Sequence, residues 1–292
     1  RSQQAVPTTF GLKAAGWLAP LVRIDQRIDT LCTDLFRLSF GGAAGTLASI
    51  GDKAIEVERN LADELELPPT DMPWHSQRDV LVDFAAQLTA LSGALGKMGQ
   101  DLVLLAQSEI AEVQPGKGGG SSTMPHKSNP VQAEMLITLA RFNAGQLGTF
   151  AQSQIHEHER SGASWLLEWL TLPQMVMATA AGLAQAVDMV PSLKVNADRM
   201  AANLELSRGA MLAEAATFAL AEHLGRDGAD KLVKDALSRS AANQSNLFDE
   251  LPGLTDVGID WAKLRDPANY IGQADAFVER VVTTARRAIK DS

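Results

Sequence analysis

The sequence predicts an all-α protein in which a bundle of long helices is followed by a small helical domain. Composition is the first indication, because alanine and leucine recur throughout, runs of β-branched residues are rare, and the chain has one tyrosine. Periodicity is the second, because apolar residues recur in alternating steps of four and three over long stretches. With 292 residues, 46% of them hydrophobic, the chain can bury a substantial core.

Two stretches carry this helical periodicity. The first begins at Trp17 and ends near Leu38, before a glycine-rich break. The second is unbroken, and its apolar positions are Leu81, Phe84, Leu88, Leu91, Leu95, Met98, Leu102 and Leu105. Inside it lie Gly93, Gly96 and Gly99, each of which costs about 1 kcal/mol relative to alanine. We expect close packing against another helix to offset that cost.

The pattern also predicts how the chain divides into domains. Residues 1–203 are predicted to form a central helical-bundle domain that carries a loop at 116–130. A further apolar helix is predicted from Pro173 to Met189, after which the sequence becomes more charged. Residues 204–292 are predicted to form the small C-terminal helical domain.

Charge and composition exclude several classes of function. The formal net charge of −9 argues against nucleic acid and anionic membranes as partners, because neither would be attracted by the field of the protein. Cys32 is the single cysteine, so no internal disulfide forms, as in a reducing cytoplasm. We expect no apolar run of membrane-spanning length and no secretory leader. These features predict a soluble cytoplasmic protein that needs a local basic pocket to hold an anion.

The stretch from Gly116 to Glu134 concentrates the reactive residues of the chain. Four glycines within Gly116 to Gly120 let the backbone approach a ligand closely. The hydroxyls of Ser121 and Ser122 follow, and Lys127 adds a positive charge within a short distance along the chain. A flexible glycine linker before a helix is the alternative interpretation of the same composition.

A helix is predicted to begin directly after these serines. Asn129 is a favourable N-cap, Pro130 suits the first helical position, and Gln132 could reach back in a capping box. The free amide donors at such a helix end, together with Lys127, would stabilise a deprotonated oxygen.

The order of these residues resembles the signature loop of the fumarase/aspartase superfamily, Gly-Ser-Ser-x-Met-Pro-x-Lys-x-Asn. Its fixed positions are matched by Gly120, Ser121, Ser122, Met124, Pro125, Lys127 and Asn129. The resemblance implies a lyase-type enzyme that uses no cofactor and no metal. It also implies that Ser121 is the base that removes a proton next to a carboxylate. Lys127 would steady the resulting carbanion, and Ser122 and Asn129 would bind substrate.

The first residues of the chain also match a superfamily segment, Thr-His-x-Gln-x-Ala-x-Pro-x-Thr-x-Gly. Gln3, Ala5, Pro7, Thr9 and Gly11 are in register with it, which implies that Gln3 binds substrate. Arg1 stands where most members carry a histidine that is often assigned as the general acid. The match implies that an N-terminal region is missing here, and a frayed terminus is the alternative.

Two further polar clusters resemble active-site segments of related lyases. His75, Gln77 and Arg78 precede the second helix in a Trp-His-x-Gln-Arg-Asp arrangement, which resembles the adenylosuccinate lyase branch and, more strongly, the carboxymuconate cycloisomerase branch. His158 and Arg160 lie in a His-Glu-Arg segment that related lyases use at the substrate end of the bundle. An arginine fork suits a carboxylate. Solvated helix ends are the alternative for both clusters.

Metal binding by the second cluster is disfavoured. His156 and His158 are two residues apart, and side chains with that spacing point to opposed sides of a helix.

The resemblance implies a function and an assembly, with alternatives. The expected reaction is the closure of a lactone by a carboxylate that adds across a double bond, on a small anionic polycarboxylate, as in the cycloisomerase branch. The first alternative is the elimination of fumarate, as in the adenylosuccinate lyase branch. The second is a non-catalytic structural protein on this fold, against which Ser121, Lys127 and Asn129 argue. The family also implies a homotetramer whose active sites are shared between subunits.

Overall fold

The computed structural model describes residues 3–114, 116, 119–120, 124 and 127–291. Helices dominate this part of the chain, and the all-α prediction is confirmed. The helices are α1 (Phe10–Leu35), α2 (Ala54–Glu64), α3 (Asp79–Leu105), α4 (Val131–Ala151), α5 (Gly162–Met189), α6 (Ala197–Glu205), α7 (Ala213–Asn243), α8 (Leu247–Glu250), α9 (Trp261–Arg265) and α10 (Ala274–Asp291). The strands are two residues each: β1 (Val113–Gln114), β2 (Gly119–Gly120), β3 (Ser128–Asn129) and β4 (Lys194–Val195).

The chain separates into two compact units. The central unit comprises residues 17–106, 115–194 and 287–292, and the terminal unit comprises residues 1–16, 107–114 and 195–286. The two units do not correspond to the two predicted domains. Each predicted domain is a continuous range of residues, whereas the terminal unit combines segments that are distant in sequence. The predicted domain boundary at residue 203 stays a prediction.

Three long helices, α3, α4 and α5, pack together to form the core of the central unit. Pairs of neighbouring residues give their directions: Arg78 contacts Glu168 and Ser92 contacts Thr179, so α3 and α5 run in parallel. Helix α4 runs in the opposite direction, because its residue Ala133 lies against the later part of α3. Ala85, Leu88, Phe150 and Met175 are buried together where the three helices meet.

Two of the glycines in α3 allow α4 to approach closely. A Cβ atom at Gly96 would lie 2.5 Å from the Ala140 Cβ, and one at Gly99 would lie 2.5 Å from the Ala133 carbonyl oxygen. Both positions therefore need glycine. At Gly93 a Cβ would meet nothing within 4 Å. The prediction that close helix packing offsets the cost of a glycine therefore holds for two of the three glycines.

A polar cluster is buried between the same three helices. The Asn143 Nδ2 donates to the Ser92 Oγ (2.7 Å) and to the Thr179 Oγ1 (2.8 Å), and each helix contributes one of these side chains. Because a buried polar group is costly when it has no partner, this cluster favours a single register of the three helices.

Helix α5 differs from its prediction in two ways. It begins at Gly162, with the Ser161 side chain as N-cap, and Pro173 lies inside it. It is also long and apolar enough, by length and composition alone, to span a membrane, and the segment that meets this test is Gly162–Ser192. The expectation that no run has this length was therefore wrong. The core helix of a water-soluble bundle meets the same test, and α5 packs along α3 and α4.

The terminal unit has a core of its own around α7 and α8. Leu220, Ala229, Val233, Leu247 and Leu251 are buried in it. Asn246 and Asp249 form a reciprocal capping box at the start of α8, which satisfies backbone donors that the helix end would leave open.

Candidate active site

The structure describes part of the signature loop. Ser121 and Ser122 lie outside the described residues. Asn129 is half-buried in β3 and pairs with Gly119 of β2 in a short antiparallel ribbon. Lys127 is exposed, and its backbone N–H donates to the Met124 carbonyl oxygen at 3.0 Å.

The predicted cap of the following helix is wrong. Helix α4 begins at Val131, its N-cap residue is Pro130, and no side chain caps it. Asn129 is held in the β-ribbon instead. Gln132 does not complete a capping box; its Nε2 donates to the Asp188 Oδ2 at 2.7 Å, which joins the start of α4 to the end of α5.

A second group of predicted residues lies in the central unit where α3 and α5 begin. His75 and Arg78 come directly before α3, and Arg160 comes directly before α5. His75 packs against the glycine-rich break after α1, since a Cβ at Gly41 would lie 2.8 Å from the His75 Cε1. The Arg160 Nη2 donates to the Gly42 carbonyl oxygen at 2.6 Å. Residues from three separate segments therefore meet here.

Each arginine of this group lies over the ring of a tryptophan. The Arg78 Cζ is 5.0 Å from the Trp74 ring centroid, and the Arg160 Cζ is 5.2 Å from that of Trp165. An aromatic face stabilises a guanidinium and restricts its orientation. These stacks hold two positive charges near one histidine.

The electrostatics of His75 follow from this arrangement. Burial, then the charge of Arg160 and then that of Arg78, hold the pKa of His75 below its ordinary value. Its imidazole is therefore neutral near pH 7, with one nitrogen that donates a hydrogen bond and one that accepts.

Arg78 is engaged differently from Arg160. Its Nε and Nη2 donate to the Glu168 carboxylate at 2.9 and 2.7 Å, and 10% and 8% of the two side chains are exposed. In the part of the chain that the structure describes, no carboxylate pairs with Arg160. Glu168 was not among the residues predicted from the sequence, although it is one of two acidic residues in an otherwise apolar helix. An acidic residue isolated in an apolar helix could have indicated a buried ion pair, because buried carboxylates are almost always paired.

The other predicted substrate ligands have surroundings of their own. Gln77 is exposed, its Nε2 donates to the Met72 Sδ at 3.2 Å, and it lines a cavity of about 320 Å³ that also contains Asp34, Asp71 and Asp79. His158 is exposed in the turn after α4 and has φ +55°. Gln3 is exposed and belongs to the terminal unit.

His156, whose sequence context raised only the possibility of a metal ligand, lies in the segment before α5. Both of its ring nitrogens are buried and have no hydrogen-bond partner within the described residues. Among those residues no three His, Cys, Asp or Glu side chains are grouped as a metal site would require.

The two groups of predicted residues lie at opposite ends of the bundle. His75 and Arg78 precede α3, whereas the signature loop follows it, and α3 has 27 residues. At 1.5 Å per residue, this helix separates the two groups by about 40 Å. One copy of the central unit therefore does not bring Lys127 and Arg160 to one substrate.

Comparison with known proteins gives the family. A lyase family profile matches residues 1–144. The chain is 44% identical over 288 residues to a 3-carboxy-cis,cis-muconate cycloisomerase of Pseudomonas aeruginosa, and 41% identical over 293 residues to that of Bradyrhizobium diazoefficiens. These matches cover 96% and 98% of this chain but 63% and 65% of the relatives. The chain thus spans less than two thirds of their length.

A solved structure gives the same result. The 3-carboxy-cis,cis-muconate lactonizing enzyme of Pseudomonas putida superimposes with a TM-score of 0.90 at 41% identity, over 98% of this chain and 65% of that one. The lyase profile, these relatives and the shared fold agree with the signature residues Lys127 and Asn129. The chain belongs to the fumarase/aspartase superfamily of lyases.

Proposed function

We propose that the protein containing this chain is a 3-carboxy-cis,cis-muconate cycloisomerase, which closes its substrate to 4-carboxymuconolactone in the catabolism of aromatic compounds. The observation that carries the proposal is the 44% identity over 96% of the chain to a relative with that activity. We also propose that it acts in the cytoplasm on a small polycarboxylate, without metal or cofactor.

The signature residues have defined roles in this reaction. During ring closure a carboxylate oxygen bonds to one alkene carbon, and a proton is added to the carbon next to the neighbouring carboxylate. In the reverse direction Ser121 removes that proton, and the lactone C–O bond breaks. A serine hydroxyl is a weak base, so nearby donors and the charge of Lys127 must stabilise its anion. Ser122 and Asn129 would orient the substrate.

The substrate carboxylates need positive charge, which an acidic protein must supply locally. Arg160 is suited to this role because its guanidinium is exposed and rests on Trp165. His75 would add a hydrogen bond beside it. Gln3, Gln77 and His158 remain predicted contacts for other parts of the substrate or for a closed state.

The distance between the two groups supports an active site that is shared between subunits. A second copy would have to bring its own Arg160 to the Lys127 of the first, across the length of α3. Helix α5 has a surface for such a contact: Trp169, Leu170 and Met177 expose 63%, 65% and 62% of their area. An exposed apolar stripe of this kind is typical of helices that pair with another chain. We propose a homotetramer in which α5 packs against other copies.

Turnover assays with the full-length protein test the function. We expect lactone formation from 3-carboxy-cis,cis-muconate with neither metal nor nucleotide added. Ser121→Ala should lower turnover by about 10³-fold or more while the protein stays folded, because it removes a single hydroxyl oxygen, the proposed base. Turnover of adenylosuccinate but not of the muconate would replace this proposal by the fumarate-releasing alternative, and full activity in the variant would shift the base to Ser122.

A further inference from the structure

Glu168 is a buried carboxylate in an apolar helix, and the proposed reaction gives it no role. With 8% of its side chain exposed, it has lost most of its hydration. A charge in this position persists only when it is paired and hydrogen-bonded. Its partner is Arg78, whose Nε and Nη2 donate to the two carboxylate oxygens at 2.9 and 2.7 Å.

The remaining surfaces of the Arg78 guanidinium are also in contact with the protein. Its Nη1 lies 3.4 Å from the Trp74 carbonyl oxygen, and its plane lies over the Trp74 ring. The Trp74 Nε1 in turn donates to the Leu38 carbonyl oxygen at 2.9 Å. Arg78 thus connects the segment from Trp74 to Arg78, which contains His75, to α5. Trp74 connects the same segment to Leu38, which follows the end of α1.

Arg160 has a different environment. It is exposed, and in the described part of the chain it makes a hydrogen bond to a backbone carbonyl and a stack on Trp165, and no carboxylate forms an ion pair with it. A substrate carboxylate can pair with Arg160 without displacing an ion pair. If it paired with Arg78, it would leave Glu168 buried without a partner, which is strongly unfavourable.

We infer that Arg78 and Glu168 are positioning residues, whose ion pair holds the His75 segment in place for catalysis, and that Arg78 does not bind the substrate. The pair forms a fixed connection between the starts of α3 and α5, and the carboxylate-binding arginine is Arg160. This revises the role that the sequence predicted for Arg78. The positioning role rests on the proposed function only because the proposed reaction is the one that is assayed.

A mutant cycle in the full-length enzyme separates positioning from substrate binding. Arg78→Met and Glu168→Met each leave one buried charge unpaired, and a displacement of about 1 Å at a catalytic group can cost about 100-fold in rate. We therefore expect kcat to fall about 100-fold in each single variant, with KM changed less than about threefold. The double variant has no unpaired charge, and its kcat should return to within about tenfold of wild type.

The opposite pattern would overturn the inference. If Arg78 contacts substrate, Arg78→Met raises KM, and the double variant is no better than Arg78→Met alone. Glu168→Gln provides a second test that changes no side-chain volume and decides the matter if the double variant does not fold. If the ion pair positions the His75 segment, Glu168→Gln should have a lower kcat and an unchanged KM. If Arg78 is instead a substrate ligand, this variant frees it from its internal partner, so it should bind the substrate more tightly and KM should fall.

A matched control and a thermal measurement complete the design. Arg239 and Asp235 form an exposed ion pair at 3.2 Å in α7, so Arg239→Met should leave kcat and KM unchanged. The melting temperature should fall in each single variant of the Arg78–Glu168 pair and recover in the double variant, whatever the substrate. A wild-type enzyme that does not turn over the muconate contradicts the proposed function. An active wild type without recovery in the double variant contradicts this inference.

Discussion

At the scale of single residues, the two arginines near His75 have the same charge but different surroundings. Glu168 neutralises Arg78, and Trp165 supports Arg160 without neutralising it. The positive charge available to a substrate therefore comes mainly from Arg160.

Removing the charge of Arg160 should raise the pKa of His75. In Arg160→Gln we expect the pKa to move up while remaining below about 6.5, the ordinary value, because burial is the largest cause of the shift. The measurement is an NMR titration of histidine side chains, with His75→Gln to assign the signal. An unchanged or lower pKa would contradict the electrostatic account.

The same shift predicts how stability depends on pH. Because the folded pKa of His75 is lowered, the unfolded chain binds a proton that the folded chain does not at pH values between the two pKa values. The contribution of His75 to stability is therefore complete above about pH 6.5 and is lost as the pH falls toward the folded value. Denaturation from pH 7.5 to 5 should show a steeper loss for wild type than for His75→Gln.

Arg160 should not tolerate lysine. An ammonium group cannot reproduce the planar fork or its stack on Trp165, so Arg160→Lys should weaken substrate binding nearly as much as Arg160→Ala, by about 2–5 kcal/mol. KM and the inhibition constant of the product measure this. Arg226, which also lies over an aromatic ring, that of Phe218, provides the control, and Arg226→Lys should have no effect. Near-normal binding in Arg160→Lys would mean that a point charge suffices.

At the scale of helices, long periodic segments were predictable and their starts were not. The seam of α3 was predicted from Leu81 to Leu105, and the helix runs from Asp79 to Leu105. The start of α4 was missed because Asn129, a good N-cap in isolation, pairs with Gly119 across a loop. Periodicity is a local property of the sequence, whereas strand pairing depends on contacts between distant residues.

The glycines of α3 give a stability test in one helix. Gly99→Ala places a Cβ 2.5 Å from a backbone oxygen of α4, so it should destabilise by about 1–3 kcal/mol despite the better helix propensity of alanine. Gly93→Ala meets nothing within 4 Å and should stabilise by about 0.5–1 kcal/mol. Urea denaturation of both variants measures the difference. Equal effects would show that α4 does not pack closely at Gly99.

At the scale of the whole molecule, the sequence indicated candidate residues for a site but not how they are arranged in space. The signature residues and the His75, Arg78 and Arg160 clusters were recognised from their order alone. That α3 separates these groups, and that Glu168 pairs with Arg78, follows from the directions of three packed helices, which no local pattern contains. The predicted sharing of active sites between subunits is the hypothesis that reconciles the motif with this distance.

Subunit complementation tests that hypothesis. Lys127→Ala and Arg160→Ala should each have little activity alone at a substrate concentration near the wild-type KM, because each lacks one part of every site. If Lys127 of one copy acts with Arg160 of another, a tetramer mixed from equal amounts of the two variants contains some sites in which both residues are intact. Random mixing gives about a quarter of the sites with both residues, so about a quarter of wild-type activity should return after the variants are unfolded and refolded together. Mixing Lys127→Ala with Ser121→Ala is the control, because both changes lie in the same loop and therefore in the same copy's contribution. If the control recovers equally, or if neither mixture recovers although mixed tetramers have formed, Lys127 and Arg160 do not meet across a subunit boundary.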